Sequence, residues 1–514
     1  MESPMVLVVG SGPTGLILAY DLTRRGVPVR IIDRQKEFTT ASRGKAGVQP
    51  RTLEVFDDFG IIDRMLEAGT QRLPFRRYLL DQMISEVVPY EDKEPRPDAP
   101  YRRMLYIRQN DVEQILRGLL SEVGCEVQRA TTLTDFTQTD TSIIATLDGP
   151  TGTEKVEVGY LVGCDGGGST VRKQLGLQFR GVTDDSQKLY VGDVEVDGLP
   201  GDAWYQWYDL QRGLLLLCPL PGSRSWQIQA SASRAADGTF PAPSLEVLQD
   251  AVDRISGMSI KLSNPTWLSV TKKNVRIVDS LRSGRVLIAG DAAHVHPVAG
   301  ALGANTGVQD AYNLGWKLAR VIKDGADQSL LDTYQEERLP VAEWALRTSC
   351  SSADRIAKAV MAGDGGAETG LTEETNQLGL NYRDSSLSWN LDAPGAGDSS
   401  GVRAGDRAPD SPCPDGTRLF DVFRGPHATL LGMGTSCREA VAQVDSAGIA
   451  GLRTLDIQER PPAYGYTEDA LVLVRPDGYV GLVTTAYDSA GVLKYLDFLQ
   501  APHSKHSGPR LTGG

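Results

Sequence analysis

The chain has no long apolar run. Its longest, GLLLLCPLP at 213–221, falls far short of the roughly 20 residues that span a bilayer, so no transmembrane helix is expected. A basic leader is also missing: MESPMVLVVG carries an acid at position 2 and enters a strand at once, so no signal peptide is expected. The six cysteines (Cys125, Cys164, Cys218, Cys350, Cys413, Cys437) are scattered and form no CxxC pair. That excludes a disulfide framework and points to free thiols in a reducing cytoplasm. Histidine is scarce, and although His294 and His296 form an HxH pair, no third ligand accompanies them in a recognisable pattern, so no metal is expected. Positive charge is in deficit, with 53 basic against 66 acidic residues and a net charge of −13. Such a surface disfavours nucleic acid and anionic membrane as partners, while leaving room for a local basic pocket.

What is present is an ordinary globular composition, 40% hydrophobic and 23% charged over 514 residues, long enough for about two to four domains. MVLVVGSGPTGLILAYDLTRRGVPVRIID reads as strand, tight turn, helix, strand, with Leu16, Ala19 and Leu22 on one helix face and Gly26 at its C-terminal end. YIRQNDVEQILRGLLSEVG gives another helix, and short alternating strands follow. Residues 181–276 change texture to strands joined by Gly/Pro/Ser turns, with Trp204, Tyr205, Trp207, Tyr208, Trp226 and Trp267 concentrated there. These aromatics suit either a core or a wall for a flat ligand, and Trp204, Trp207 and Trp226 are the candidate substrate contacts. GRVLIAGDAAH is a buried strand followed by two long helices, the second of which Pro340 should kink or limit.

The expected division is a first part at 1–180, with 72–105 partly facing the substrate, then the sheet domain 181–276. The first fold resumes at 277–362 with the long helices. A Gly/Ser/Asp-rich linker with little structure occupies 363–405, a small α/β domain 406–500, and a disordered tail 501–514.

Gly10-x-Gly12-x-x-Gly15 closes the first strand and opens the first helix. Gly10 permits the turn, Gly12 lets the backbone approach a pyrophosphate, and Gly15 allows helix and strand to pack closely, with Pro13 and Thr14 between them. The helix then presents unpaired N–H groups and a positive dipole end. Asp33 ends the next strand, at roughly the 20-residue offset where an acid accepts ribose hydroxyls, followed by Arg34. Dinucleotide binding is therefore expected. GCDGGGSTVR and GRVLIAGDAAHVHP each place an acid, Asp165 and Asp291, after an apolar strand end, where it can accept from sugar or ribityl hydroxyls or act as a turn residue.

The fingerprint, CDGGGSTVR, GDAAHVHP and NTGVQDAYNLGWKLA occur in an order that resembles the class A flavoprotein monooxygenases, the para-hydroxybenzoate hydroxylase-like family. The likeness spans nearly the whole chain. It is strongest to the aromatic hydroxylases of polyketide and antibiotic biosynthesis that carry a C-terminal thioredoxin-like domain, whose final strands RPDGYVGLV resembles. The resemblance implies an α/β fold: a Rossmann-like FAD-binding domain with an inserted antiparallel-sheet substrate domain, and a thioredoxin-like C-terminal domain that the missing CxxC makes structural. It implies FAD as cofactor, NADPH or NADH as transient co-substrate, and O2. Asp33 should bind the adenosine ribose, and Arg43 and Gln109 the diphosphate or ribityl region. Asp165 and Gly166 should serve FAD and NADPH handling, and Asp291 the ribityl chain. Pro297 should lie by the reactive flavin carbon, with Gly303, Ala304 and Asn305 at the pyrimidine edge, where a helix N-terminus meets developing negative charge.

The activity so implied is hydroxylation of a bulky aromatic or polyketide-like molecule through a flavin C4a-hydroperoxide. Baeyer–Villiger insertion or ring cleavage, a flavin dehydrogenase or reductase, and a ligand-sequestering flavoprotein are the alternatives. No protein nucleophile stands out. The pattern leaves a homodimer or higher homo-oligomer open. One departure stands in the loop: the family commonly has Pro-Pro-x-Gly-Gly-Gln-Gly where this chain has Pro297-Val298-Ala299-Gly300-Ala301-Leu302-Gly303. Ala301 should resist a positive φ, and Leu302 should remove an amide from the flavin's vicinity.

Overall fold

The computed structural model describes residues 5–39, 41, 45–235, 238–297, 299–391, 401–413 and 415–501. Val6–Val9 lies at the centre of a six-stranded sheet, buried along its whole length as a strand covered on both faces should be. Val29–Ile32 and Tyr160–Gly163 flank it in parallel. Val286–Ile288 pairs in parallel with Tyr160–Gly163, so the chain returns to this sheet across more than a hundred residues. That return sets the Gly290–Asp291 loop beside the N-terminal fingerprint. Helix Pro13–Arg24 packs against helix Gly303–Ala319 through small residues: a Cβ on Gly307 would come 2.5 Å from Thr14 Oγ1, and one on Gly315 2.2 Å from Asp21 Oδ2. A three-stranded meander, Thr132–Gln138, Ile143–Gly149 and Gly152–Val158, adds Leu133, Ile143, Ala145 and Leu147 to the same core.

The second sheet has eight strands. In order these are His294–Val295, Lys261–Ile277, Arg180–Asp197, Ser225–Ser231, Gly213–Pro219, Trp204–Asp209, Phe75–Leu79 and Gln82–Val87. All neighbours are antiparallel except Trp204–Asp209 with Phe75–Leu79. Because side chains alternate along a strand, one face sends Tyr205, Trp207, Leu215, Leu217, Trp226 and Ile228 against helix Leu245–Ser256, while Trp204 and Cys218 point the other way. That other face meets the first domain. This is an α/β fold with an inserted, largely antiparallel sheet.

Helix Asp332–Ala362 runs for 31 residues straight through Pro340, which does not limit it. Pro340 and Glu336, whose carbonyl loses its donor, both lie on the solvent side, where water replaces the missing bond. The stretch 363–405, expected to be a linker with little structure, is packed over its described residues to 391. It turns through Ala367–Gly370 and Glu374–Asn376, and Thr375, Gln377 and Leu387 are buried. Its composition misleads because its order comes from bonds to other elements: Arg77 donates to the Gly365 carbonyl at 2.8 Å, and Gln309 Nε2 to Gln377 Oε1 at 2.8 Å.

Residues beyond 401, with Trp389–Asn390 as an edge strand, build a five-stranded sheet ordered Trp389–Asn390, Val480–Thr484, Ala470–Val474, Ala428–Met433 and Leu452–Ile457, with helices Arg438–Ser446 and Ser489–Phe498. The GMGTSC segment at 432–437 is a strand-to-helix turn, Thr435–Cys437 leading into Arg438. Residues 502–514 lie outside the described residues.

Candidate functional site

The three glycines of the fingerprint do different things. Gly10 holds φ at 104°, and a Cβ there would come 2.3 Å from the Cys164 carbonyl oxygen. A Cβ on Gly15 would sit 2.0 Å from the Gly10 carbonyl oxygen. Both are therefore packing glycines. Gly12 has nothing within 4 Å of its Cβ position: it faces open space at the start of helix Pro13–Arg24, whose N-terminus has no side-chain cap. An uncapped helix end beside open space suits an anionic pyrophosphate. Asp33 ends its strand as expected, and its Oδ2 accepts from the Ser11 backbone N–H (2.9 Å) and hydroxyl (2.8 Å), so it braces the glycine turn. Arg34 is exposed, and Arg43 lies outside the described residues. Gln109 is half-buried at the start of helix Gln109–Glu122 and donates to Glu113 at 3.0 Å.

Asp165 caps the short helix Thr170–Gln174, its Oδ2 accepting from the Thr170 N–H at 2.6 Å, while its buried Oδ1 has no hydrogen-bond partner. The neighbouring Gly166 and Gly168 face open space. Asp291 has exposed surface, yet the protein surrounding it raises its carboxyl pKa by desolvation, only partly offset by His294. Gly290, at φ 61°, touches Thr14, so Asp291 stands beside the fingerprint helix.

The loop after Asp291 is held from below by a buried ionic network. Asp310 Oδ2 accepts from the Gly290 N–H at 3.1 Å and lies 2.7 Å from His294 Nε2; Asp310 Oδ1 accepts from Arg338 Nε at 2.8 Å. Burial opposes the charge on Asp310, but Arg338 and His294 outweigh it and hold the carboxyl down at about 2. Arg338 also donates to the Tyr382 hydroxyl (2.8 Å) and the Thr306 carbonyl (3.2 Å). His296 Nδ1 lies 3.1 Å from the Pro297 carbonyl and 2.9 Å from Ser349 Oγ, and burial lowers its pKa to about 4, so the ring is neutral.

Helix Gly303–Ala319 starts as expected near Asn305, with Gly303 half-buried, Ala304 exposed and no side-chain cap on its first turn. Asn305 is buried. It accepts from the Gln49 N–H (2.8 Å) and donates to the Gly47 (2.7 Å) and Ala301 (2.6 Å) carbonyls, tying strand Lys45–Val48 to the loop. Two expectations for this loop need correction. Ala301 does adopt the left-handed conformation, at φ 54°, because the bonds from Gln49 Nε2 to the Gly300 carbonyl and from Asn305 to its own carbonyl over-determine it. Leu302 is fully buried, so position 302 fills the interior rather than facing a ligand.

The candidate substrate tryptophans separate by strand alternation. Trp207, whose Nε1 donates to the Leu80 carbonyl at 2.8 Å, and Trp226 belong to the core under helix Leu245–Ser256. Trp204 faces the other way, its ring 4.5 Å from Phe75, in an apolar cluster with Leu73, Met104, Tyr106 and Cys218 that reaches Ala301 itself. Phe75, Met104 and Tyr106 carried no motif. Their only sequence signal was apolar character, at 73 and 75 and through the continuous run 104–107.

The residues present fit FAD. An open, uncapped helix end at Gly12, an unpartnered buried oxygen on Asp165 and the accessible acid Asp291 lie along one edge of the sheet, and a second uncapped helix end at Gly303 adjoins an apolar wall. Comparison with known proteins agrees. The profile of the family described as "FAD binding domain" matches residues 4–349. A "Flavin-dependent monooxygenase" of Mycobacteroides abscessus is 40% identical over 96% of this chain and 99% of its own. The "6-methylpretetramide 4-monooxygenase" of Streptomyces rimosus is 32% identical over 93% of this chain and 90% of its own. Among solved structures, aklavinone-11 hydroxylase with FAD and aklavinone superposes with a TM-score of 0.79 at 27% identity, covering 96% of this chain and 98% of that one. The chain therefore belongs to the FAD-binding-domain family and is an FAD-dependent monooxygenase.

Proposed function

We propose that this enzyme hydroxylates a flat, polycyclic aromatic molecule of the polyketide kind, with NADPH or NADH as reductant and O2 as oxygen donor. The observation that carries the reading is the apolar, aromatic wall of Phe75, Met104, Tyr106 and Trp204 directly beside Ala301. Such a wall binds a flat ring and keeps water from the reacting centre. That S. rimosus relatives are named for tetracycline-type substrates supports it. Bound FAD supplies the redox and oxygen-transfer chemistry.

The chain's own residues hold and orient. Gly12, Pro13 and Thr14 receive the pyrophosphate on the helix end, Asp33 with Arg34 the adenosine ribose, and Arg43 and Gln109 the diphosphate or ribityl region. Asp165 with Gly166 and Asp291 accept sugar and ribityl hydroxyls. Pro297 would lie by the bound ring, and the N–H groups at Gly303, Ala304 and Asn305 would stabilise negative charge on it. For the C-terminal region we propose a thioredoxin-like domain with a structural role: its strand order and its lack of a CxxC pair support this. Cytoplasmic location is supported by six free thiols; no helix among the described residues is long and apolar enough to cross a membrane.

The test uses purified, FAD-loaded enzyme with a panel of hydroxylated anthraquinones and naphthacenes. Substrate-stimulated NADPH oxidation and one atom from labelled O2 in the product are expected. Stimulated oxidation without label would make the enzyme a dehydrogenase, and label beside a carbonyl instead of on a ring carbon would make it a Baeyer–Villiger enzyme.

A further inference from the structure

One side of the apolar wall beside Ala301 borders a surface cleft. Tyr90 and Leu371 belong to its cluster, and both also line a cleft of ≈ 260 Å³ between the segment Val87–Lys93 and the turn Glu368–Glu373. Tyr90 and Leu371 thus stand between the cleft and the cluster of Phe75, Trp204 and Cys218, against which both pack. The outer rim of the cleft is bridged by an ion pair, Lys93 Nζ to Glu373 Oε1 at 2.7 Å, with the Arg102 guanidinium more distant at 3.9 Å from the same oxygen. The two sides of the cleft are anchored independently. On one side the Lys93 N–H bonds the Tyr90 carbonyl at 3.0 Å, and Arg103 donates to that carbonyl at 3.2 Å. On the other, Gln206 Nε2 donates to Glu368 at 3.1 Å and Asn376 to Glu373 at 2.9 Å. The Lys93 and Glu373 side chains are 26% and 60% exposed. An ion pair so exposed is weak and opens readily, which suits a closure that must part on every turnover.

We propose that this cleft is the passage by which the flat aromatic substrate reaches the wall beside Ala301, and that the Lys93–Glu373 pair is the latch across it. The identity of the ligand rests on the hydroxylase reading above; the passage itself does not. Cys218 is a built-in reporter, being 1% exposed in the cluster behind Tyr90 and Leu371.

In FAD-loaded, full-length enzyme, the rate at which N-ethylmaleimide alkylates Cys218, followed by peptide mass, should rise about two- to fivefold in Lys93→Met and in Glu373→Gln, as loss of one exposed ion pair allows. The double variant should be no faster than either single, since both remove the same contact. The association rate of 1,8-dihydroxyanthraquinone, read by quenching of bound flavin fluorescence, should rise by the same factor with melting temperature and FAD content unchanged. Unchanged Cys218 labelling in both singles, or multiplying effects in the double, would overturn the latch. If labelling follows the latch but no aromatic in the panel stimulates NADPH oxidation, the passage stands and the hydroxylase reading fails.

Discussion

At the scale of single residues, the three fingerprint glycines make separable predictions. Gly12→Ala places its methyl in open space, so the apoprotein should melt as the parent does while FAD affinity falls at least about tenfold, measured by fluorescence titration. Gly15→Ala drives a Cβ onto the Gly10 carbonyl and should give little folded protein. Ala301, strained at φ 54°, should gain up to about 1 kcal/mol when changed to glycine, read from urea unfolding; a loss would mean that its contacts with the Gly47 and Met104 side of the wall outweigh the strain. Leu302→Gln should instead cost about 1–3 kcal/mol, because a fully buried position would receive an unpartnered amide.

At the scale of elements, the loop of Gly290 to Leu302 depends on groups beneath it. His296 is kept neutral by burial, with its pKa lowered from 6.5 to about 4. Below pH 6.5 the unfolded chain takes up a proton that the folded chain refuses. Stability should therefore fall from pH 6.5 to pH 4 by about 3 kcal/mol from this group and then level off. His296→Phe should flatten that part of a stability-against-pH curve, and an unchanged slope would assign the acid loss to other groups. Asp310 works at lower pH: held down at about 2, it contributes stability present above pH 4 that is lost as pH falls towards 2.

At the scale of the whole molecule, the C-terminal sheet is joined to the FAD-binding helices by buried charge. Arg475 makes paired bonds to Glu337 (2.5 and 2.9 Å), which also accepts from Lys317 at 2.6 Å, and Trp316 Nε1 donates to Asp477 at 3.0 Å. Desolvation lowers the Lys317 pKa to about 8, whereas Arg475 and Lys317 together hold Glu337 well below the usual carboxylate range despite its burial. Arg475→Met leaves Glu337 short of its main partner and should cost about 3–5 kcal/mol in global unfolding. It should also loosen helix Gly303–Ala319 where the network grips it, seen as faster hydrogen exchange around Asn313–Lys317.

Local chemistry determined much of this protein. A turn requiring glycine at 10, an acid after each strand end at 33, 165 and 291, and an apolar period through 303–319 are properties of short segments, and they were legible together with the fold they build. Tertiary structure decided what depends on neighbours distant in the chain. Strand alternation alone could not say which face of 204–226 would be covered by helix Leu245–Ser256, so Trp207 and Trp226 became core and Trp204 became wall. Composition alone could not foresee that 363–391 would be ordered by Arg77, Gln206 and Gln309. Nor could it say that the Asp310–Arg338 pair would support the flavin loop, since a buried ion pair exists only where two separate helices bring its halves out of water together.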